Sequence, residues 1–510
     1  MKSSGLLTSR QPPERQRGRP MLDEKMKLNR KFRRIKQEPG VPRVPPFLTK
    51  GSDPGRLIKS GLTPLTVLAN SLQVGGCPMN VTERCLSRRG LLKILGVASS
   101  GIAATRWLGP DVTMAQEPSR GKAIETFTGP GANPHWNSVG PYVTEPQKVP
   151  LILLTDRPVQ LETPRHYFRT AFTPNEAFYV RWHLEGIPNA VDLKNWKLQI
   201  EGHVNKPVVL SLPELMQKFK AVSLAAVNQC SGNSRSRLQP RVPGGQWGNG
   251  AMGNAMWTGV RLLELLDMAG VKSGSLMVQF QGLETGAGPA GLGSNLFLKS
   301  LDLGNPVLDE CIVAYLMNGE PLPMLNGFPV RLVVPGYFST YWTKCLTWIR
   351  VLSAADENFW VKTAYRVPDT PRGNTTLEDV KAGKVKMVPI GRLPVRSFLI
   401  SPDGTSKIPA GMNVTLRGIA FSGFGGVNRV EVSDDGGKSW MAAKLGEDHG
   451  AYSFRTWEAA WTGKSPGRYS LAVRATDEKG NTQPDEPVWN PGGYLWNRIE
   501  RQEIAVGNAS

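Results

Sequence analysis

Four stretches of this 510-residue sequence carry residue types able to do chemistry. Phe178–Pro188 (FYVRWHLEGIP) alternates like a strand and sets Arg181 and His183 on the same side of it. Gln229–Arg237 (QCSGNSRSR) places Cys230 among small polar residues and arginines, including Arg235. It runs into the glycine-rich Val242–Gly253 (VPGGQWGNGAMG), whose backbone amides could form an anion-binding nest. Gly327–Tyr337 (GFPVRLVVPGY) carries Arg331, with Asn326 just before it and Lys344 after it. Trp360–Arg366 (WVKTAYR) brings Tyr365. A guanidinium presents a planar fork of donors that suits an oxyanion. Singly, each feature has an ordinary explanation: a surface ion pair for Arg181, a satisfied core histidine for His183, an interface aromatic for Tyr365. A buried structural thiol is the ordinary explanation for Cys230, but Ser-Gly-Asn-Ser-Arg is the wrong neighbourhood for an apolar core.

The other cysteines are Cys77, Cys85, Cys311 and Cys345, and no two form a C-x-x-C pair. That spacing argues against zinc-ribbon, c-type haem and thioredoxin-like sites. Beyond residue 115 three cysteines remain, an odd number, so at least one thiol is free or otherwise engaged. The net charge of +20 would suit nucleic acid, but its distribution does not. Residues 1–78 alone hold 16 Lys/Arg against 5 Asp/Glu. The modest positive bias left on residues 116–510 suits small anions or an acidic partner, not nucleic acid.

The elements that must position these residues read as strands and short helices. Trp196–Val204 alternates like a strand, Ser211 caps a helical Leu212–Phe219, and Val260–Met268 reads as a helix ended at Gly270. Val330–Val334 is a buried strand stopped by Pro335-Gly336. Residues 366–390 are polar and proline-containing, as in a linker. Beyond them Asn413–Ala420, Val427–Ser433, Ser453–Trp461 and Arg468–Asp477 are short strands separated by turns, the pattern of an immunoglobulin-like sandwich.

The N-terminus reads as an address. Residues 1–78 are basic, proline-rich and poor in aromatics, the composition of a disordered extension, and translation starting at Met79 would give a signal of ordinary length. Residues 79–115 contain Ser87-Arg88-Arg89-Gly90-Leu91-Leu92-Lys93, a mildly apolar Ile94–Thr105 and a small-residue site at Thr113-Met114-Ala115. This is the layout of a twin-arginine signal peptide, which exports folded and commonly cofactor-loaded proteins. The apolar run is about 12 residues where a spanning helix needs roughly 20, so the mature form has no integral membrane segment.

Taken in order, CSGNSRS (Cys230–Ser236), GFPVRLVVPG (Gly327–Gly336) and the closing PVWNPGG (Pro487–Gly493) resemble the sulfite oxidase family of molybdopterin enzymes, over about residues 165–505. The resemblance is nearest to its bacterial periplasmic sulfite dehydrogenases. It implies an α+β chain: a mixed α/β molybdopterin-binding domain at 166–370, a linker at 371–392 and an all-β immunoglobulin-like dimerisation domain at 393–507, behind an extended arm at 116–165. It further implies that Cys230 is the molybdenum thiolate ligand, a sulfur suited to a soft, high-valent metal. Arg181, Arg235 and Tyr365 would face metal and substrate, His183 and Asn326 would help hold the cofactor, and Arg331 and Lys344 would bind the pterin phosphate. Asn326 stands where the animal enzymes carry histidine. Trp489-Asn490 is followed by Pro491-Gly492-Gly493, where the vertebrate enzymes carry an arginine.

The implied reaction is oxidation of sulfite, or a related small sulfur oxyanion, to sulfate in the periplasm. Two electrons would pass to a c-type cytochrome, either a separate acceptor or a haem subunit, because no haem-binding segment is present on this chain. The alternatives are a sulfane dehydrogenase subunit, another molybdopterin oxygen-atom transferase such as a sulfoxide reductase, and a cofactor-free binding module that retains the fold. Homodimer and heterodimer both fit the sandwich domain.

Overall fold

A computed structural model describes residues 142–143, 147–156, 158–286 and 296–508. The expected basic extension, the export signal and most of the expected arm lie outside the described residues. Where the arm is described, it is built into a sheet. Tyr142–Val143, Leu151–Asp156, Val159–Glu162 and Val180–Arg181 pair antiparallel in that order, with Gln160 opposite Arg181. The apolar side chains of this hairpin (Leu151, Leu161, Val180) pack with Trp182 and Cys345, which is why the segment is anchored and not extended. The sheet therefore straddles the boundary expected at residue 166.

Two five-stranded sheets complete the catalytic region. One runs in the order Leu296–Asp302, Met277–Thr285, Leu346–Leu352, Leu198–Gly202, Val208–Leu210, with a single parallel pair between 346–352 and 198–202. The other runs Glu320–Pro321, Ile312–Met317, Met252–Arg261, Val222–Gln229, and Arg331–Val333 joins it against Ile312–Ala314. The helices are short and stop where local chemistry says they should. Leu212–Lys218 begins at Ser211 with a reciprocal capping box to Glu214. Leu262–Ala269 ends at Gly270, whose φ of 68° is left-handed. No described helix is long and apolar enough to cross a membrane.

The expected linker is folded. Arg366–Pro368 pairs antiparallel with Met387–Pro389, and Thr376 caps a short helix, Leu377–Lys381, between them. The sandwich follows, one sheet containing Arg396–Ser401, Asn413–Phe421, Arg455–Thr462 and Lys444–Leu445. Its second sheet contains Lys407–Pro409, Glu500–Gly507, Gly467–Asp477, Val427–Ser433 and Met441–Ala442. Leu416, Val430, Trp457, Leu471 and Ile504 fill its interior.

An aromatic contact and a buried ionic one are among those that join the sandwich to the catalytic region. Phe168 meets Phe398 and Phe454 edge-on, at 6.2 and 5.7 Å between ring centroids. Beside this apolar contact, Glu500 is buried between Arg237 Nη1, at 2.8 Å, and Arg396 Nη2. Arg396 Nη2 also donates to Ser234 Oγ and Asn249 Oδ1, both at 2.8 Å. Removing the carboxylate leaves two guanidiniums buried without their counter-charge, which costs about 3–5 kcal/mol. Glu500→Ala should therefore unfold at markedly lower denaturant concentration than wild type. An unchanged midpoint would show that the pairs contribute nothing.

Candidate active site

The strand Val222–Gln229, paired with Met252–Arg261 from Val222↔Gly259 to Gln229↔Met252, delivers Cys230 at its end. The chain then turns sharply. Cys230 N–H donates to Ala251 O at 2.9 Å, its carbonyl accepts from Asn233 N, and Ser234 adopts φ 66°. Glycine is needed at position 232 because a Cβ there would lie 2.5 Å from the Arg235 guanidinium. All three described cysteines are unpaired and buried.

Around Cys230 is a cavity lined by Tyr179, Arg181, His183, Asn228, Ser231, Asn326, Arg331, Ser339, Thr340, Lys344 and Tyr365, among others. Seven of the eight residues expected at the site thus converge, although they are spread from position 181 to 365. None of the described residues lining the cavity is acidic, while Arg181, Arg331 and Lys344 are basic. Several lining donors are buried and unpaired: Arg181 Nη1, Asn228 Nδ2, Ser231 Oγ, Arg331 Nε and Thr340 Oγ1. Buried polar groups are normally satisfied, so this cluster fits an anionic, multiply hydrogen-bonding ligand such as a phosphorylated pterin. Arg331 is half committed already, donating to Asn326 O at 2.9 Å and Trp342 O at 3.1 Å while it lies against the Trp257 and Trp342 rings. Lys344 Nζ donates to Arg181 O at 2.9 Å and sits 4.2 Å from the Trp182 ring centroid. Burial, with Arg331 and Arg181 nearby, brings its pKa down to about 8 although Glu284 opposes the change.

Arg235 is placed differently from the expectation. It is not among the residues lining the cavity. Its guanidinium donates to Gly245 O at 3.1 Å and Gly492 O at 3.0 Å, and lies 5.4 Å from the Tyr494 ring centroid. Two carbonyls hold it behind the Cys230 turn. The glycine-rich loop also departs from the expected nest. The Gly248 and Gly250 amides both donate at 2.9 Å to the Glu162 carboxylate, so the loop's anion comes from within the chain.

Other residues had little or no sequence signal. Glu284, at the far end of Met277–Thr285, accepts from the His183 and Leu184 amides and lies 3.3 Å from His183 Nδ1. Burial alone would raise its pKa, but His183, Lys344 and the Leu184 amide outweigh burial and hold it at about 2. Burial and Arg181 push the His183 pKa well below its usual value, so the ring is neutral. A neutral imidazole facing a carboxylate through Nδ1 carries its proton there, leaving Nε2 as an acceptor. The ring stacks on Phe297, centroids 3.6 Å apart. Tyr179 donates to Asn228 Oδ1 at 2.7 Å, which turns the Asn228 amide donors away from that contact. Asn228 was legible, because it precedes Cys230 by two on a strand and so shares its face. Lys148 is buried and donates to Asn326 Oδ1 and to two backbone carbonyls, and burial lowers its pKa to about 7.

Family models agree with this geometry. The oxidoreductase molybdopterin binding domain matches residues 183–360, and the Mo-co oxidoreductase dimerisation domain matches residues 387–506. These matches define the chain as a molybdopterin oxidoreductase. The chain is 32% identical over 391 residues to mitochondrial sulfite oxidase of Rattus norvegicus, covering 73% of this chain and 69% of that protein. It is 33% identical over 378 residues to sulfite oxidase of Gallus gallus, covering 70% and 79%. With that extent of similarity, the chain belongs to the sulfite oxidase family. Nitrate reductase [NAD(P)H] of Hordeum vulgare is 32% identical over 67% of this chain, but only 40% of that enzyme is covered. The sulfane dehydrogenase SoxCD of Paracoccus pantotrophus shares the fold, with TM-score 0.58 and 23% identity over 79% of this chain and 93% of that one.

The Glu284 carboxyl provides a pH test. A group whose folded pKa lies below its unfolded value stabilises the fold above the unfolded value, here 4.5, and loses that contribution as pH falls towards about 2. Glu284→Gln should be less stable than wild type at pH 7, and the gap should close as the pH is lowered from about 4.5. Parallel stability curves through that range would refute the assignment.

Proposed function

We propose that this chain oxidises sulfite to sulfate, taking up water and releasing two electrons and two protons, with the electrons passing to a c-type cytochrome. The observation that carries the reading is the buried, unpaired Arg181 Nη1 in the same cavity as Cys230 and Tyr365, where no described lining residue is acidic. Molybdopterin, when bound, supplies oxygen-atom transfer and a temporary store for the two electrons. The chain's own residues do the rest. Cys230 provides the thiolate that holds the metal. Arg181 binds and orients the anionic substrate, and a preorganised donor in a water-poor site is worth more than one in bulk solvent. Burial raises the Tyr365 pKa, so its phenol remains a proton donor at neutral pH. The neutral His183, locked by Glu284 and Phe297, adds an acceptor without adding charge. Arg331 Nε and Lys344 are the donors for the pterin phosphate. Export through the twin-arginine route to the periplasm, and pairing through the sandwich with a second copy or a cytochrome subunit, complete the proposal.

The test is sulfite-dependent reduction of cytochrome c by the molybdenum-loaded protein. Cys230→Ala should abolish it. Arg181→Gln should lower kcat/KM by about 10- to 100-fold, as the loss of a charge-assisted hydrogen bond of roughly 1.5–3 kcal/mol predicts. Full activity in Cys230→Ala would sink the ligand assignment. A loaded wild type inactive towards sulfite, yet active on nitrate with a reduced dye, would sink the substrate.

A further inference from the structure

This chain has a compact turn, Asn490–Tyr494, between the last two long strands of the sandwich. Asn490 is fully buried and closes the turn on itself. Its Nδ2 donates to Tyr494 O at 2.9 Å, its Oδ1 accepts from Tyr494 N at 3.1 Å, and its carbonyl accepts from Gly493 N at 3.0 Å. Both glycines are required by what they touch. A Cβ at Gly492 would stand 2.4 Å from the Tyr494 ring, and one at Gly493, where φ is 64°, would stand 2.6 Å from Arg235 Nε. Arg235, behind the Cys230 turn, holds the Gly492 carbonyl and lies against the Tyr494 ring.

This packing brings Tyr494 against the active site. The Tyr494 ring stacks on Tyr365, centroids 5.8 Å apart and planes 20° from parallel. Tyr365 needs such support. Its backbone is left-handed, φ 57°, a conformation costly for a bulky residue unless its surroundings over-determine it. Trp360 flanks the same ring at 6.2 Å and 30°, and Lys299 Nζ lies 5.3 Å from its centroid.

We propose that Tyr494 is a positioning residue: its ring holds Tyr365 in the left-handed conformation that aims the Tyr365 phenol into the cavity. The sandwich domain thus completes the active site with a residue of its own. For its kinetic readout the proposal rests on the sulfite-oxidising function. Its structural readout does not.

The experiment uses the full-length, molybdenum-loaded protein as wild type, Tyr494→Ala, Tyr494→Phe, Tyr365→Phe and the double variant Tyr494→Ala/Tyr365→Phe. Loss of an aromatic pair is worth about a factor of ten, so Tyr494→Ala should lower kcat for sulfite roughly tenfold. Tyr494→Phe, which keeps the stack, should recover most of that loss. In the Tyr365→Phe background, Tyr494→Ala should add little, because two residues acting through one another are not additive. Amide hydrogen exchange in peptides spanning residues 359–368 should be faster in Tyr494→Ala, while peptides from the sandwich core at 427–433 keep the wild-type rate. If Tyr494→Ala does not accumulate as folded protein, Tyr494→Leu keeps the apolar volume without the stack and carries the same expectations. Full multiplication of the two single-variant losses, or unchanged exchange at 359–368, overturns the proposal. A wild type that fails to oxidise sulfite removes the proposed substrate but leaves the exchange result to decide the role of Tyr494.

Discussion

The Glu500 carboxylate, fully buried between two guanidiniums, is the constraint on which the arrangement turns. Taking three charges out of water is unfavourable unless each finds partners, and here the partners come from both halves of the chain. Arg396 and Glu500 belong to the sandwich; Arg237, Ser234 and Asn249 belong to the turn and loop behind Cys230. The carboxylate can be satisfied only if the sandwich is docked and the Cys230 turn is formed. The two domains therefore share this polar lock, next to the aromatic contact of Phe168 with Phe398 and Phe454. The Cys230 thiol is presented by an element whose geometry the neighbouring domain helps to set.

The same logic of internal counter-ions governs the cavity. A site that must take up an anionic cofactor needs unspent positive charge, and carboxylates nearby would spend it. The chain keeps its acids behind the lining. Glu284 sits one layer back, where it orients His183 and faces Lys344 at 3.9 Å without entering the cavity. Glu162 neutralises the amides of the glycine-rich loop. The result is a set of donors, Arg181 Nη1 and Arg331 Nε among them, that are buried yet still available.

Local features were largely legible. The Ser211 cap, the Gly270 stop and the strands of the sandwich follow from side-chain chemistry acting over a few residues, and they stand where that chemistry puts them. The converging residues were legible only in combination, since Arg181, Cys230, Arg331 and Tyr365 come from separate strands and turns. What stayed hidden was pairing at long range. Glu284 lies 101 positions from His183, and the Glu162 carboxylate lies 86 from the Gly248 amide it accepts. The segment 366–390 read as a linker because its polar and proline content is that of a loop. It folds because Arg366–Pro368 and Met387–Pro389 find each other across a turn.

The sequence by itself determined the types and order of the chemistry: one thiol in a small, polar, basic turn, cations ahead of and behind it, and a strand-rich tail of sandwich character. Those properties are set by short-range preferences and by which residues are present. Only the tertiary structure decided how the donors are shared. It committed Arg235 to two carbonyls, gave the glycine loop to Glu162, left Arg181 unspent and laid Tyr494 on Tyr365. A hydrogen bond or a ring contact depends on ångström distances between residues far apart in the chain, and packing alone fixes those distances.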